Sequence, residues 1–226
     1  ASASLQQSLI RTRLVRIDEI RDRLNSIIQD AARAQGCEAQ LDVEGGEVTL
    51  DRGLFRQLIA PLEHLARNAV VHGIEPPDKR LSGGKTAAGR LKLTAFVDGT
   101  DLVIGFGDDG RGVEREELNK ILKARGHTPV DTHDELQTLL FKSGFSSIDN
   151  PPELAGLGLG LSAVPAAVGH LAGQVQLATQ PGEGTQLTLR IPQRIVVNQV
   201  VLVECEGGVF AIPVNYVEAV KMDGAA

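Results

Sequence analysis

The 226-residue chain contains no tryptophan, one tyrosine and one methionine, and aromatic residues make up only 3% of it. Proteins that bind single-stranded nucleic acid stack bases on exposed rings, so this scarcity argues against that class. Positive charge is also outweighed: 23 Lys and Arg stand against 29 Asp and Glu, for a net charge of −6. Binding a phosphate backbone needs clustered cations, and this balance points away from a nucleic-acid partner. Cysteine is nearly absent. Cys37 and Cys205 lie far apart, with no Cys or His near either at ligand spacing. That argues against a disulfide scaffold or a zinc site and fits a reducing compartment. No apolar run approaches the roughly 20 residues of a membrane helix. Nothing at the start has the layout of a signal peptide. The expectation is a soluble, cytoplasmic protein without membrane insertion, and a chain that opens on Ala rather than Met reads as an excerpt of a longer one.

What is present suffices for one sizeable core, at 42% hydrophobic residues, with a fragment of a second module. Residues 5 to about 35 carry Leu9, Leu14, Ile17, Leu24, Ile27 and Ile28 near a helical period and predict a helix ended by Gly36. Residues 38–43 and 47–50 alternate in polarity around Gly45-Gly46, a hairpin signal. Asp51 is placed to cap a helix running to about His72 and stopped by Gly73, after which Pro76-Pro77 predicts extended or turn backbone. Strands are expected over 89–97 and 101–107, with Leu102, Ile104 and Phe106 on one face. A short helix follows over 114–126. Residues 127–156 form a long polar stretch with one helical piece at 134–141. A glycine-rich turn, Gly156 to Gly160, then opens a helix to about Leu171. Two more strands, 174–179 and 185–191, flank Pro181-Gly182-Glu183-Gly184. This order predicts an α+β fold, a layer of helices on one face of a mixed β-sheet. After Pro192 come strands at 196–205 and 208–213, too few to enclose a core alone.

Four segments carry chemistry. On the helix over 58–73, His64, Asn68 and His72 fall at i, i+4 and i+8 and stack in one row, away from an apolar face that includes Leu58, Leu62 and Leu65. One reading is a solvated polar face. The other is that the Asn68 amide offers its oxygen to Mg²⁺, which shares its ligands with phosphates and water, with His64 one turn away near the reacting phosphate. Asp108-Asp109-Gly110-Arg111-Gly112 ends a strand, where a carboxylate can accept a hydrogen bond from an exocyclic amine; many strands also end in such turns simply as turns. Gly156, Gly158 and Gly160 precede a helix whose free N–H groups suit a phosphate, without matching the dinucleotide or Walker patterns. Gly182-Glu183-Gly184-Thr185 is a hairpin turn or a support for a site.

In this order and spacing the four resemble the histidine-kinase branch of the gyrase–chaperone–kinase–MutL ATPase superfamily. The run Leu62-Glu63-His64-Leu65-Ala66-Arg67-Asn68-Ala69-Val70-Val71-His72-Gly73-Ile74-Glu75 is similar to the N box of CheA-type chemotaxis kinases. Residues 5–13 resemble the end of that family's dimerisation helix, 141–146 its phenylalanine box, and 209–213 the start of a CheW-like domain. The resemblance implies the Bergerat ATP-binding fold with a long ATP lid. It divides the chain into a dimerisation-helix end at 1–17, a catalytic domain at 18–193 and a CheW-like start at 194–226. It implies that Asn68 binds Mg²⁺, that Asp108 reads adenine in a pocket shaped by Gly110 and Gly112, and that Thr185 supports that Asp through water. Gly156, Gly158 and Gly160 become the lid hinge and phosphate turn, His72 lines the nucleotide, His64 assists transfer, and Lys142 or Arg67 adds charge near the triphosphate.

The hydrolysing members of the superfamily carry a Glu four residues before the Mg²⁺-binding Asn, as general base. That position is His64 here, and Glu63 lies about 100° away around the helix. The resemblance therefore implies phosphotransfer from ATP to a histidine on a separate phosphoacceptor domain, then to a response regulator, with a CheW-like adaptor and a homodimer in the full-length protein. The chain departs from the family at Val71, Leu157, Leu161 and Ser162 and in the acidic run from Glu114 to Glu117. These departures leave a second expectation, a nucleotide-binding scaffold without kinase activity, and a third, a hydrolytic ATPase.

Overall fold

A computed structural model describes residues 14–124, 126–141, 161, 163–193, 200–205 and 208–213. The chain divides into two compact units, residues 1–193 and 194–226. In the second unit, β8 (Val200–Cys205) and β9 (Gly208–Pro213) form an antiparallel hairpin.

The first unit is built on a five-stranded mixed sheet. Its strands are β2 (Ala39–Glu44), β4 (Gly89–Asp98), β5 (Asp101–Asp108), β6 (Gln174–Gln180) and β7 (Gly184–Pro192), in the order β2-β4-β5-β7-β6. The pairing of β2 with β4 is parallel and the rest antiparallel. Strand alternation sends Leu91, Leu93, Leu102, Ile104, Phe106, Leu187, Leu189 and Ile191 to one face, where all are buried. That face is covered by α1 (Arg21–Gln35), α2 (Arg52–Asn68) and α6 (Ala163–His170), which contribute Leu24, Ile28, Leu58, Leu62, Leu65, Val164 and Val168 to the same core. The expected two-layer α+β arrangement is the one found.

Asp51 caps α2 as its position predicts, its side chain accepting from the Gly53 N–H at 2.7 Å. Gly36, in the left-handed conformation, ends α1. Two short helices follow, α4 (Arg115–Ala124) and, within the polar stretch from 127, α5 (His133–Phe141).

Local periodicity misread three places. The helix predicted over 5–35 begins only at Arg21. Leu14–Arg16 is a strand, β1, and Ile17–Ile20 a 3₁₀ turn, while residues 5–13 lie outside the described residues. Val15, Ile17 and Ile20 are all buried, and a strand followed by a tight turn buries them as well as a helix would. The predicted hairpin around Gly45-Gly46 does not form. β2 instead joins β4, and β3 (Thr49–Asp51) turns back to pair with β1. The Ile17 N–H donates to the Val48 carbonyl and the Asp18 N–H to the Gly46 carbonyl, both at 3.0 Å, so the incoming chain takes the bonds a hairpin would have used. Finally, Pro77 starts a short helix, α3 (Pro77–Ser82). Proline at a first helical position gives up only an N–H that had no helical partner.

Candidate functional site

Asp108 is the last residue of β5, in phase with Leu102, Ile104 and Phe106, so its carboxylate points toward the helical layer. Asp109, one residue on, points the other way, and its groups are already used. Its Oδ2 accepts from Arg80 Nη2 at 2.9 Å, its Oδ1 from the Arg90 N–H at 2.8 Å, and its carbonyl from Lys85 Nζ at 2.8 Å. Of two adjacent aspartates, only Asp108 is turned to a cleft.

The cleft lies between the sheet and the end of α2. Phe106 and Leu187 from the strands, Leu65 and Ala69 from the helix, and Val113 and Leu161 from the flanking loops make its walls apolar. Asn68, His72, Asp108, Gly112 and Thr185 supply its polar edge. Five sequence-predicted residues thus meet in one cleft. His64 stands one turn back on α2, half-buried, outside the cleft lining yet close enough for its charge to act on His72. Lys142, Gly156, Gly158 and Gly160 lie outside the described residues.

The predicted helical row of His64, Asn68 and His72 is modified where α2 ends. Residues Ala69–Gly73 form a π-helical turn, closed by the Ile74 N–H donating to the Ala69 carbonyl at 2.9 Å. Such turns are uncommon and concentrate at functional sites. Here the wider turn presents the His72 and Gly73 carbonyls to the loop after β5. Arg111 takes both, its Nε donating to His72 at 2.8 Å and its backbone N–H to Gly73 at 2.9 Å. The helix end and the Asp108 loop are thereby tied together.

Glycine makes this approach possible. A side chain at Gly110 would collide with the backbone carbonyl of Gly73 and crowd the Asp108 carboxylate. Gly112 has φ +66°, and a side chain there would strike the Gln180 carbonyl. Gly110→Ala is therefore expected to separate the Asp108 loop from the π turn. Calorimetry should show ATP binding weakened about tenfold or more, with far-UV dichroism unchanged.

The electrostatics suit a ligand with a donor at the Asp108 position. Burial pushes the Asp108 carboxyl up to about 6, against the Gly110 and Thr185 N–H groups that hold it down; the charges of Asp109 and Glu75 add to the rise. The Gly110 N–H reaches its Oδ1 at 2.9 Å. His72 is depressed by burial first, then by Arg111 and His64, so its imidazole is neutral near pH 7. It offers the cleft a hydrogen-bonding ring rather than a cation.

Sequence reasoning missed the clamp behind the site. Arg80 is completely buried. Besides Asp109 it holds Glu75 Oε2 at 3.1 Å and the Thr86 carbonyl at 2.8 Å. Lys85 Nζ binds Glu75 Oε1 at 2.8 Å and the Gly110 carbonyl at 2.7 Å. Burial alone would raise the Glu75 carboxyl, but the Lys85 and backbone hydrogen bonds and both cations hold it below its ordinary value. Glu75 stands within the N-box run, yet Arg80 and Lys85 fall in a loop-like stretch with no period to mark them.

Purine and magnesium fit what is present. A buried acceptor at the end of an apolar cleft suits an aromatic amine. Among the described residues no group of three or more His, Cys, Asp or Glu is placed to hold a metal. A single amide, Asn68, suits an ion that takes its other oxygens from phosphate and water. Glu63, the carboxylate beside His64, is ion-paired with Arg23 of α1 and does not line the cleft. No helix among the described residues is long and apolar enough to cross a membrane.

Comparison with known proteins agrees with this geometry. Residues 57–195, more than half of the chain, match the family described as histidine kinase-, DNA gyrase B- and HSP90-like ATPase. Chemotaxis protein CheA of Halobacterium salinarum is 34% identical over 97% of this chain and 34% of its own length. The Salmonella typhimurium CheA is 32% identical over 94% of this chain and 32% of its own. The gliding motility regulatory protein of Myxococcus xanthus is 33% identical over 96% and 29%. The chain thus spans about a third of the length of these curated relatives. Among solved structures, the nucleotide-free catalytic domain of histidine kinase ThkA matches 80% of this chain and 94% of its own, with TM-score 0.50 and 14% identity, a likeness of fold. The apolar cleft, its half-buried strand-end carboxylate and these matches agree: the chain belongs to the histidine kinase-, DNA gyrase B- and HSP90-like ATPase family.

Proposed function

We propose that the cleft binds ATP with Mg²⁺ and that the domain transfers the γ-phosphate to a histidine on a separate phosphoacceptor domain. The observation that carries this reading is the Asp108 carboxylate, half-buried at the end of an apolar cleft that Asn68 also lines. Asp108 accepts from the adenine amine, Gly112 lets the base approach, and Thr185 stands beside Asp108 on the next strand. Asn68 holds Mg²⁺, which would neutralise charge developing on the phosphates. Lys142 and the turn of Gly156, Gly158 and Gly160 belong to the phosphate side of this proposal.

The choice of transfer over hydrolysis rests on the catalytic-base position. His64 occupies it, and the neighbouring Glu63 is engaged by Arg23, which leaves water without a carboxylate to activate it there. In the full-length homodimer, the phosphoryl group would pass on to a response regulator, and residues 194–226 would begin the part that meets a CheW-like adaptor. The setting that fits is the cytoplasm.

Labelled ATP mixed with this domain and the parent protein's phosphoacceptor domain is expected to give acid-labile label on histidine. Asn68→Asp should reduce it by about a hundredfold or more through loss of the metal's amide ligand. The acidic run from Glu114 to Glu117 and the departures at Leu157, Leu161 and Ser162 favour a second reading, a nucleotide-holding scaffold in a chemosensory array. ATP affinity together with zero transfer in the same assay would select it. Steady phosphate release without any acceptor would instead point to a hydrolase.

A further inference from the structure

Asp108, Thr185 and Thr179 form a straight row across three strands. Asp108 is the register partner of Thr185 on β7, and Thr185 that of Thr179 on β6. Cross-strand threonines so placed commonly hydrogen-bond. Here the two hydroxyl oxygens are 3.1 Å apart. Distance alone does not say which one donates. The other partners of Thr179 do.

A hydroxyl has one proton to give and two lone pairs to receive with. The Val113 backbone N–H donates to the Thr179 oxygen at 3.0 Å, which occupies one lone pair. The Gly184 carbonyl lies 3.1 Å from the same oxygen and can only accept, whereas the Thr185 hydroxyl can donate, so both contacts are hydrogen bonds only when the Thr179 proton goes to Gly184. In that arrangement the remaining contact runs from Thr185 to Thr179. Thr185 spends its single proton away from the cleft. Toward the cleft it has only lone pairs, beside a carboxylate that is itself acceptor-only when ionised.

We propose that Thr179, which does not line the cleft, is a positioning residue for base selection: it fixes the Thr185 hydroxyl as an acceptor, so that this wall rewards a purine carrying a 6-amino group and penalises one carrying a 6-oxo group. The proposal rests on the reading of the cleft as an adenine-nucleotide site and adds the device that sets its polarity. Without Thr179, the Thr185 hydroxyl is free to turn its proton into the cleft and donate to a 6-oxo group or to a water bound there.

The test compares ATP with inosine triphosphate on the wild-type domain, Thr179→Val and Thr179→Ser, by calorimetry. Thr179→Val keeps the side-chain shape and removes the hydroxyl. ATP should bind it about five- to tenfold more weakly, while inosine triphosphate holds or gains, so that the preference narrows about tenfold. Thr179→Ser should restore the wild-type ratio. A loss shared equally by both nucleotides would mean that Thr179 only supports the fold, and would overturn the proposal. Wild-type protein that binds neither nucleotide would overturn the reading of the cleft along with it. An unchanged preference in Thr179→Val, with ATP still bound, sinks the role of Thr179 alone. Should the valine variant not fold, Thr179→Cys takes its place in the same comparison: a narrowed preference supports the proposal and an unchanged one refutes it.

Discussion

Asp108→Ala should weaken ATP binding by about a hundredfold or more, the scale expected when a buried charged acceptor is removed from a ligand's donor. The effect of pH makes the test sharper. The Asp108 carboxyl is raised to about 6, chiefly by burial. Below that pH it carries a proton and opposes a donor to the adenine amine. Wild-type affinity for ATP is therefore expected to fall as pH drops from 7.5 to 5, and this slope should vanish in the alanine variant. An equal slope in both proteins would place the titrating group elsewhere.

The same rise predicts a stability effect of opposite direction. The folded-state value lies above the 3.8 of an unperturbed carboxyl, so folding favours the protonated form. The contribution of Asp108 to stability is present below about pH 3.8 and is lost as pH rises through about 6. Above that, the empty domain carries a penalty of a few kcal/mol, because each tenfold gain in proton affinity on folding corresponds to about 1.4 kcal/mol. In urea unfolding, the stability of Asp108→Asn relative to wild type should improve between pH 4 and pH 7. Other titrating groups are common to both proteins and cancel in the difference. The site holds a charge that its ligand, more than its fold, accounts for.

Arg80→Met should lower unfolding free energy by about 3–5 kcal/mol, the range for breaking a buried ion pair from one side. The side chain is completely buried, and its loss leaves the Asp109 carboxylate without its cation, Glu75 with Lys85 alone, and the Thr86 carbonyl without its donor. Arg80→Lys should rescue little, because one ammonium cannot reproduce a planar fork that serves several acceptors. Adding Asp109→Asn to Arg80→Met should recover part of the loss, since the carboxylate left without its cation is then neutral. ATP affinity should fall in Arg80→Met even under conditions where the domain stays folded, because Asp109 anchors the loop on which Asp108 and Gly110 sit. A variant with normal affinity would show that the loop holds its shape without this clamp.

Strand alternation, the Asp51 cap and the Gly36 stop depend on neighbours a few residues apart, and the sequence alone was enough to place them. The family resemblance named Asn68, His72, Asp108, Gly112 and Thr185 as parts of one site, and the fold brings these five to one cleft. Tertiary structure decided what depends on distant partners. Gly45-Gly46 looks like a hairpin turn, but β2 joins β4, where Leu41 and Val43 pack against the core, and β1 arrives from elsewhere to pair with β3. Asp108 and Asp109 are equivalent as letters. Only the phase of β5, and a buried arginine arriving from a stretch without periodicity, make one face the cleft and the other the clamp. The π turn and the proton order of Thr179 are likewise set across the fold, by Arg111 in one case and by Val113 and Gly184 in the other. Local pattern records which face of an element is buried; a partner remote in sequence leaves no trace in it, and long-range packing and hydrogen bonding make that choice.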